Sequence, residues 1–219
     1  MNKIKHVILS GGIGSRLWPL SRKSRPKQYL DIFDGKSLFE MTVTRNASIA
    51  DEILVVGNVE NSSQSSFVMN KLGADFISIT ESTPRNTAAA IAFAAFSSNY
   101  DDILVVTPSD HIIGDEKFYN EAITKAIELA KLDYIVTFGI APTKPETGYG
   151  YIEFENDNVI SFREKPSLTN AEEFIEKGNF LWNSGMFCFK AGVLLAELKL
   201  HSPEIYDNSK NAIENTVGG

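Results

Sequence analysis

An α/β fold with a doubly wound, mostly parallel mixed sheet is predicted by three features of this 219-residue chain. Short runs rich in valine and isoleucine recur along it. They are apolar almost throughout rather than alternating, as in strands buried on both faces. Longer segments with helical spacing lie between them, giving a β-α-β alternation.

In chain order, strands are read at "KHVILS" (5–10), "EILVVG" (52–57), "DFISI" (75–79), "DILVVTP" (102–108) and "YIVTFGI" (134–140). Helices fall at about 37–49, 61–72, 86–98 and 116–131. After residue 141 the pattern changes. "GYGYIEFEN" and "VISFREKP" read as a hairpin or mixed-sheet extension, and "AEEFIEKG" as a short helix. "LWNSGMFCFK" is a further strand, with helices at 191–199 and about 203–215 behind it. No linker, repeat or low-complexity stretch interrupts the chain. Residues 1–219 are therefore read as a single domain with two halves, 1–140 and 141–219.

Composition narrows the function classes. Hydrophobic residues make up 43%, enough for one large core. Lys and Arg number 21 against 28 acidic residues, a net charge of −7, which argues against a nucleic-acid partner. It leaves room for a small anionic ligand on a locally basic loop. Cys188 is the only cysteine, so neither an intrachain disulfide nor a cysteine metal cluster can form. His6, His111 and His201 lie far apart, with no zinc-type spacing. The apolar run near the N-terminus is too short for a signal peptide, and no segment approaches a membrane span. The expectation is a soluble, cytoplasmic protein.

The stretch "SGGIGSRLWPLSRKSRPKQ" (10–28) follows the first strand. In an open α/β sheet that places it where ligands bind, at the strands' carboxyl ends. Glycines there let backbone N–H groups approach phosphate oxygens, and Arg16, Arg22, Arg25 and Lys27 can neutralise a polyphosphate. A dinucleotide fingerprint fails at Leu17, and no Gly-Lys-Ser/Thr follows for a Walker A loop. A glycine turn carrying solvated cations is the plainer alternative.

The same stretch closely resembles the N-terminal signature of the sugar-1-phosphate nucleotidyltransferases. Its "LWPLSR…PKQ" version looks like that of the mannose-1-phosphate guanylyltransferases. Further segments match in order: "ESTPRNTAAAIAFAA", "VVTPSDHII", "FGIAPTKPETGYGYIE", "REKP" and "LWNSGMF". The resemblance thus covers essentially the whole chain. It implies a Rossmann-like nucleotide-diphospho-sugar transferase fold, with 1–140 as the nucleotide-binding half and 141–219 as the sugar-binding half. The implied reaction joins GTP and mannose 1-phosphate, releasing pyrophosphate and giving GDP-mannose. Mg²⁺ is the implied cofactor, and a homo-oligomer is compatible with the family.

Site residues follow by the same resemblance. Ser10, Gly11, Gly12, Gly14 and Ser15 would cradle the nucleotide, with Ser109 beside them. Arg16 would hold the triphosphate, and Lys27 would face the α-phosphate and the sugar phosphate. Asp110 would be the Mg²⁺ ligand; a turn or cap aspartate is its plainer alternative. His111 reads better as a packed neighbour. Glu81 has the acceptors that guanine N1–H and its amino group want, and Arg85, Asn86 and Thr87 would contact base or phosphate; the last two also suit a helix cap. Tyr149, Gly150, Glu164, Lys165 and Asn183 would bind the sugar phosphate. Taken singly, these last motifs read as a β-turn, a hairpin ion pair and a loop asparagine. Trp182, Met186, Phe187, Cys188 and Phe189 read as core.

The resemblance also implies a second metal-binding carboxylate, in an Asp-Val/Leu-Gly-type segment, and no such segment precedes Gly219. The expectation is therefore a sugar-binding half that is incomplete, in a piece of a longer enzyme or a shortened homologue. A catalytically weak nucleotide- or sugar-binding module, or a transferase for another sugar 1-phosphate, is the alternative.

Overall fold

The computed structural model describes residues 2–12, 19–22, 25–31, 34–83 and 86–215. Two compact units emerge: Met1–Val136 with Phe187–Gly219, and Thr137–Met186.

The larger unit opens with β1 (Ile4–Leu9), a 3-10 turn (Lys27–Tyr29) and α1 (Leu38–Asn46). β2 (Glu52–Asn58), α2 (Val59–Leu72), β3 (Ile77–Glu81), α3 (Thr87–Phe96), β4 (Ile103–Pro108) and α4 (Glu116–Lys131) follow. Strands run parallel in the order β3-β2-β1-β4, and Phe187–Lys190 adds antiparallel to β4. α6 (Ala191–His201) and α7 (Pro203–Glu214) complete this unit.

Continuous apolar runs have a direct cause here. Side chains alternate across a strand, so Val7, Leu54 and Val56 point to one face, where Ala90, Ala94 and Ala95 of α3 pack. Ile8 and Val55 point to the other, against Phe39 and Val43 of α1 and Val68 and Met69 of α2. The alanines of α3 let that helix lie close to the sheet. Ser37, Asn58 and Asp115 cap α1, α2 and α4 by accepting from backbone N–H groups three residues on. β3 begins two residues later than "DFISI" suggests, because its register pairs Ile77 with Leu54 and Glu81 with Asn58.

The amino edge of this sheet holds charge. Lys5 is buried, with its Nζ 3.1 Å from Asp102 Oδ2 and 3.1 Å from Glu52 Oε2. Burial alone would push the Asp102 carboxyl up. The N–H groups of Lys3 and Asn99, together with the Lys5 ammonium, outweigh it and hold the carboxyl below its ordinary value. Removing one partner would leave a buried charge uncompensated, at a cost of about 3–5 kcal/mol.

In the smaller unit lie most of β5 (Val136–Ile140), then β6 (Tyr151–Glu155), β7 (Asn158–Arg163) and α5 (Leu168–Lys177). Phe180–Met186, the first part of β8 (Phe180–Lys190), belongs here too. β6 pairs antiparallel with β7 and with β8, and β5 also pairs with β8. Tyr151, Ala171, Phe174 and Phe180 form the core, with Trp182 packed against it.

His6 gives this fold a pH signature. It is buried on β1, with Nε2 2.8 Å from Thr107 Oγ1. Burial, aided by the Arg45 charge, pushes its imidazole from 6.5 down to about 3. The unfolded chain therefore takes a proton that the folded one refuses. This contribution to stability is full above about pH 6.5 and is lost as pH falls toward 3. In His6→Asn, denaturant unfolding should show a stability-versus-pH slope shallower by up to about 1.4 kcal/mol per pH unit in that window. An unchanged slope would contradict a neutral buried imidazole.

Candidate active site

Register sets the larger unit's site. Leu9 lies opposite Val56 on one side and Pro108 on the other. Pairing continues one residue further: Ser10 N–H donates to Val56 C=O at 2.8 Å, and Ser109 N–H donates to Leu9 C=O at 3.1 Å. Ser10, Asn58, Glu81, Ser109 and Asp110 thereby share the carboxyl edge of the parallel strands, the edge that binds ligands in open α/β sheets.

The 3-10 turn sends three consecutive side chains in three directions, as its three residues per turn require. Lys27 forms an ion pair with Asp110, both groups partly exposed. Gln28 is buried and donates from Nε2 to Gly12 C=O at 3.0 Å, with a longer contact of 3.4 Å to Ser10 C=O. Tyr29 hydroxyl bonds with Ser10 Oγ and, at 2.6 Å, with Ser65 Oγ. Among the described residues, nothing lies within 4 Å of a Cβ built on Gly11 or Gly12.

Two predicted catalytic residues, Lys27 and Asp110, thus come together. Arg16, Gly14, Ser15 and Arg85 lie outside the described residues. Glu81 is buried at the end of β3. Asn86 occupies the N-cap position of α3, yet its side chain makes no capping bond, and Thr87 opens the helix. Of the opening stretch's remaining arginines, Arg25 is 3.4 Å from Asp31 on the surface. His111 is held below its ordinary pKa chiefly by burial, so its imidazole is neutral at pH 7. Arg45 donates to the His111 carbonyl at 3.3 Å, which suits a packed neighbour.

Within the smaller unit, Gly150, Glu164 and Asn183 converge. A Cβ on Gly150 would lie 2.7 Å from Glu164 Oε2 and 3.6 Å from Asn183 Cβ. Asn183 N–H donates to Gly150 C=O at 2.8 Å, and Asn183 Oδ1 accepts from Gly185 N–H at 2.9 Å. Lys165 follows Glu164 at φ +43° and precedes Pro166. That conformation is disfavoured for a side-chain-bearing residue, and more so before proline. Strain of this kind gathers at functional sites. Tyr149, half exposed, packs edge-on against Trp182 with ring centroids 5.2 Å apart.

The sequence reading missed Gln28, Asn58 and Asn61 as site residues. Gln28 stood inside the quoted "PKQ" beside Lys27. Asn58 carried a detectable cap signal, an asparagine between an apolar run and a helix. Asn61 carried none.

Gly150→Ala should push the Glu164 carboxylate aside without unfolding the chain, because the atom it meets ends a flexible side chain. The melting temperature should stay nearly unchanged while the Glu164 carboxylate resonance moves; a thermal melt and ¹³C NMR check this, and an unmoved resonance would contradict the contact.

Residues 5–217 match the family model described as nucleotidyl transferase. A xanthan biosynthesis protein, XanB, of Xanthomonas campestris pv. campestris is 42% identical over 98% of this chain and 48% of its own length. A mannose-1-phosphate guanylyltransferase of Salmonella muenchen is 42% identical over 97% of this chain and 48% of its own. Among solved structures, one described as a mannose-6-phosphate isomerase from Helicobacter pylori superposes with a TM-score of 0.90 at 44% identity, covering 99% of this chain and 82% of that one. The chain spans about half the length of the curated relatives it matches. Because the family match runs along nearly its whole length, the chain belongs to the nucleotidyl transferase family.

Proposed function

We propose that this chain carries the transfer of GMP from GTP to mannose 1-phosphate, giving GDP-mannose and pyrophosphate. The observation that carries the reading is the Lys27–Asp110 ion pair beside the Ser10–Gly12 loop at the strand ends. It puts an ammonium, a carboxylate and a glycine-rich backbone where a triphosphate meets an open α/β sheet.

The chemistry asks little acid–base help. A phosphate oxygen of mannose 1-phosphate, already an anion, bonds to the α-phosphorus. The bond from that phosphorus to the bridging oxygen breaks, and the electron pair leaves with pyrophosphate. What remains for the protein is alignment and the stabilisation of charge. Lys27 is assigned to the α-phosphate and the sugar phosphate, and Arg16 to the triphosphate. Glu81, Arg85, Asn86 and Thr87 are assigned to the base and its phosphates, with Gly14, Ser15 and Ser109 lining the nucleotide. Tyr149, Gly150, Glu164, Lys165 and Asn183, all within Thr137–Met186, are assigned to the mannose phosphate.

Mg²⁺ fits Asp110 as part of a shared shell. That ion takes one or two carboxylates and fills its octahedron with phosphate oxygens and water. Among the described residues, no group of three or more His, Cys, Asp or Glu residues is placed to hold a metal ion. When bound, the ion would draw charge from the phosphates.

Residues 1–140 and 141–219 are assigned as nucleotide and sugar halves, in a cytoplasmic protein. Among the described residues, no helix is long and apolar enough to cross a membrane. A relative named for xanthan biosynthesis supports a product used for polysaccharide.

Two measurements test the reading. GTP should raise the melting temperature more than ATP, UTP or CTP; equal shifts would remove the guanine assignment. Arg16→Ala and Lys27→Ala should each lower turnover by about 10²–10³ and leave the melting temperature nearly unchanged. Near-normal turnover in either would remove that residue from the machinery.

A further inference from the structure

Three buried carboxamides meet three consecutive backbone carbonyls, those of Ser10, Gly11 and Gly12. Gln28, Asn58 and Asn61 are each almost fully shielded from solvent. Gln28 Nε2 donates to Gly12 C=O at 3.0 Å, and Asn61 Nδ2 donates to Ser10 C=O at 3.1 Å. Asn58 Nδ2 reaches Gly11 C=O at 3.4 Å, while its Oδ1 accepts from Asn61 N–H at 2.9 Å. A carbonyl only accepts, so each amide must turn its NH₂ toward the loop. They come from different elements: Gln28 from the 3-10 turn, Asn58 from the end of β2, Asn61 from the first turn of α2.

Peptide geometry gives this arrangement a consequence. In a trans peptide the C=O and the following N–H point in opposite directions. Holding the Ser10 carbonyl turns the Gly11 N–H the other way. Holding the Gly11 carbonyl does the same for the Gly12 N–H. Among the described residues, nothing comes within 4 Å of a Cβ on either glycine. Successive N–H groups turned outward make an anion-binding concavity.

We propose that Gln28, Asn58 and Asn61 form a carboxamide clasp that aims the Gly11 and Gly12 N–H groups at a phosphate. They are positioning residues that touch the loop rather than the ligand. The clasp rests on the reading of this crevice as a triphosphate site and adds the device that preorganises it. Without the clasp, the loop carbonyls could swing toward the phosphates and repel them.

The test uses inorganic triphosphate, which has no base, alongside GTP kinetics. Gln28→Met removes the donor without adding charge, and Asn61→Leu does so at the second carbonyl. Each should weaken triphosphate binding about tenfold, the worth of one lost hydrogen bond at a buried group. The KM for GTP should rise while the KM for mannose 1-phosphate holds. In the unliganded protein, the ¹³C resonance of the Gly12 carbonyl should move in Gln28→Met, and that of Ser10 in Asn61→Leu. The clasp is overturned if triphosphate affinity is unchanged in both variants, or if the two KM values rise together. It is also overturned if the wild-type protein takes no triphosphate. Equal binding of all four nucleotides would instead remove the guanine assignment and leave these triphosphate and carbonyl results standing.

Discussion

Backbone carbonyl groups need donors, and just past the end of β1 those of Ser10, Gly11 and Gly12 find them in side chains instead of a neighbouring strand. That constraint organises the larger unit's site. Because Gln28 answers Gly12 and Ser10, the 3-10 turn is fixed beside the loop. With the turn fixed, its first residue, Lys27, meets Asp110. Its last residue, Tyr29, ties Ser10 to α2 through Ser65. One turn therefore sets the backbone donors, the cation and the packing together.

The two edges of the parallel strands divide the work. At the amino edge Lys5 is enclosed by Asp102 and Glu52, charge matched to charge in a setting that holds the strands. At the carboxyl edge Lys27 and Asp110 pair with each other and remain partly exposed. A partly solvated ion pair can exchange its partners for phosphate and metal at modest cost, whereas a buried one cannot. The buried charge network and the candidate site thereby lie at opposite ends of the same strands.

Much of the fold was legible because its cause is local. Val7 and Ile8 face two different covered surfaces, so the run around them had to be apolar without alternation. The alanine run of α3 is likewise local: small side chains let that helix lie close to the sheet. The start of β3 was misplaced because its register with β2, a tertiary matter, decides which residues pair. At the site, Lys27 and Asp110 were legible through the family signature and lie together. The Gly150, Glu164 and Asn183 cluster was legible in the same way. Asn61 was not: in sequence it is one polar residue near a helix start, and only the fold brings its amide to Ser10, 51 residues away. Lys5 was hidden for the same reason, since its partners come from two other strands' ends.

The most direct test is pyrophosphate release by the 219-residue chain with mannose 1-phosphate and Mg²⁺, comparing GTP with ATP, UTP and CTP. Release that requires mannose 1-phosphate and favours GTP is the result predicted. No release with any nucleotide, or equal release with all four, would contradict the claim that these residues carry guanylyl transfer.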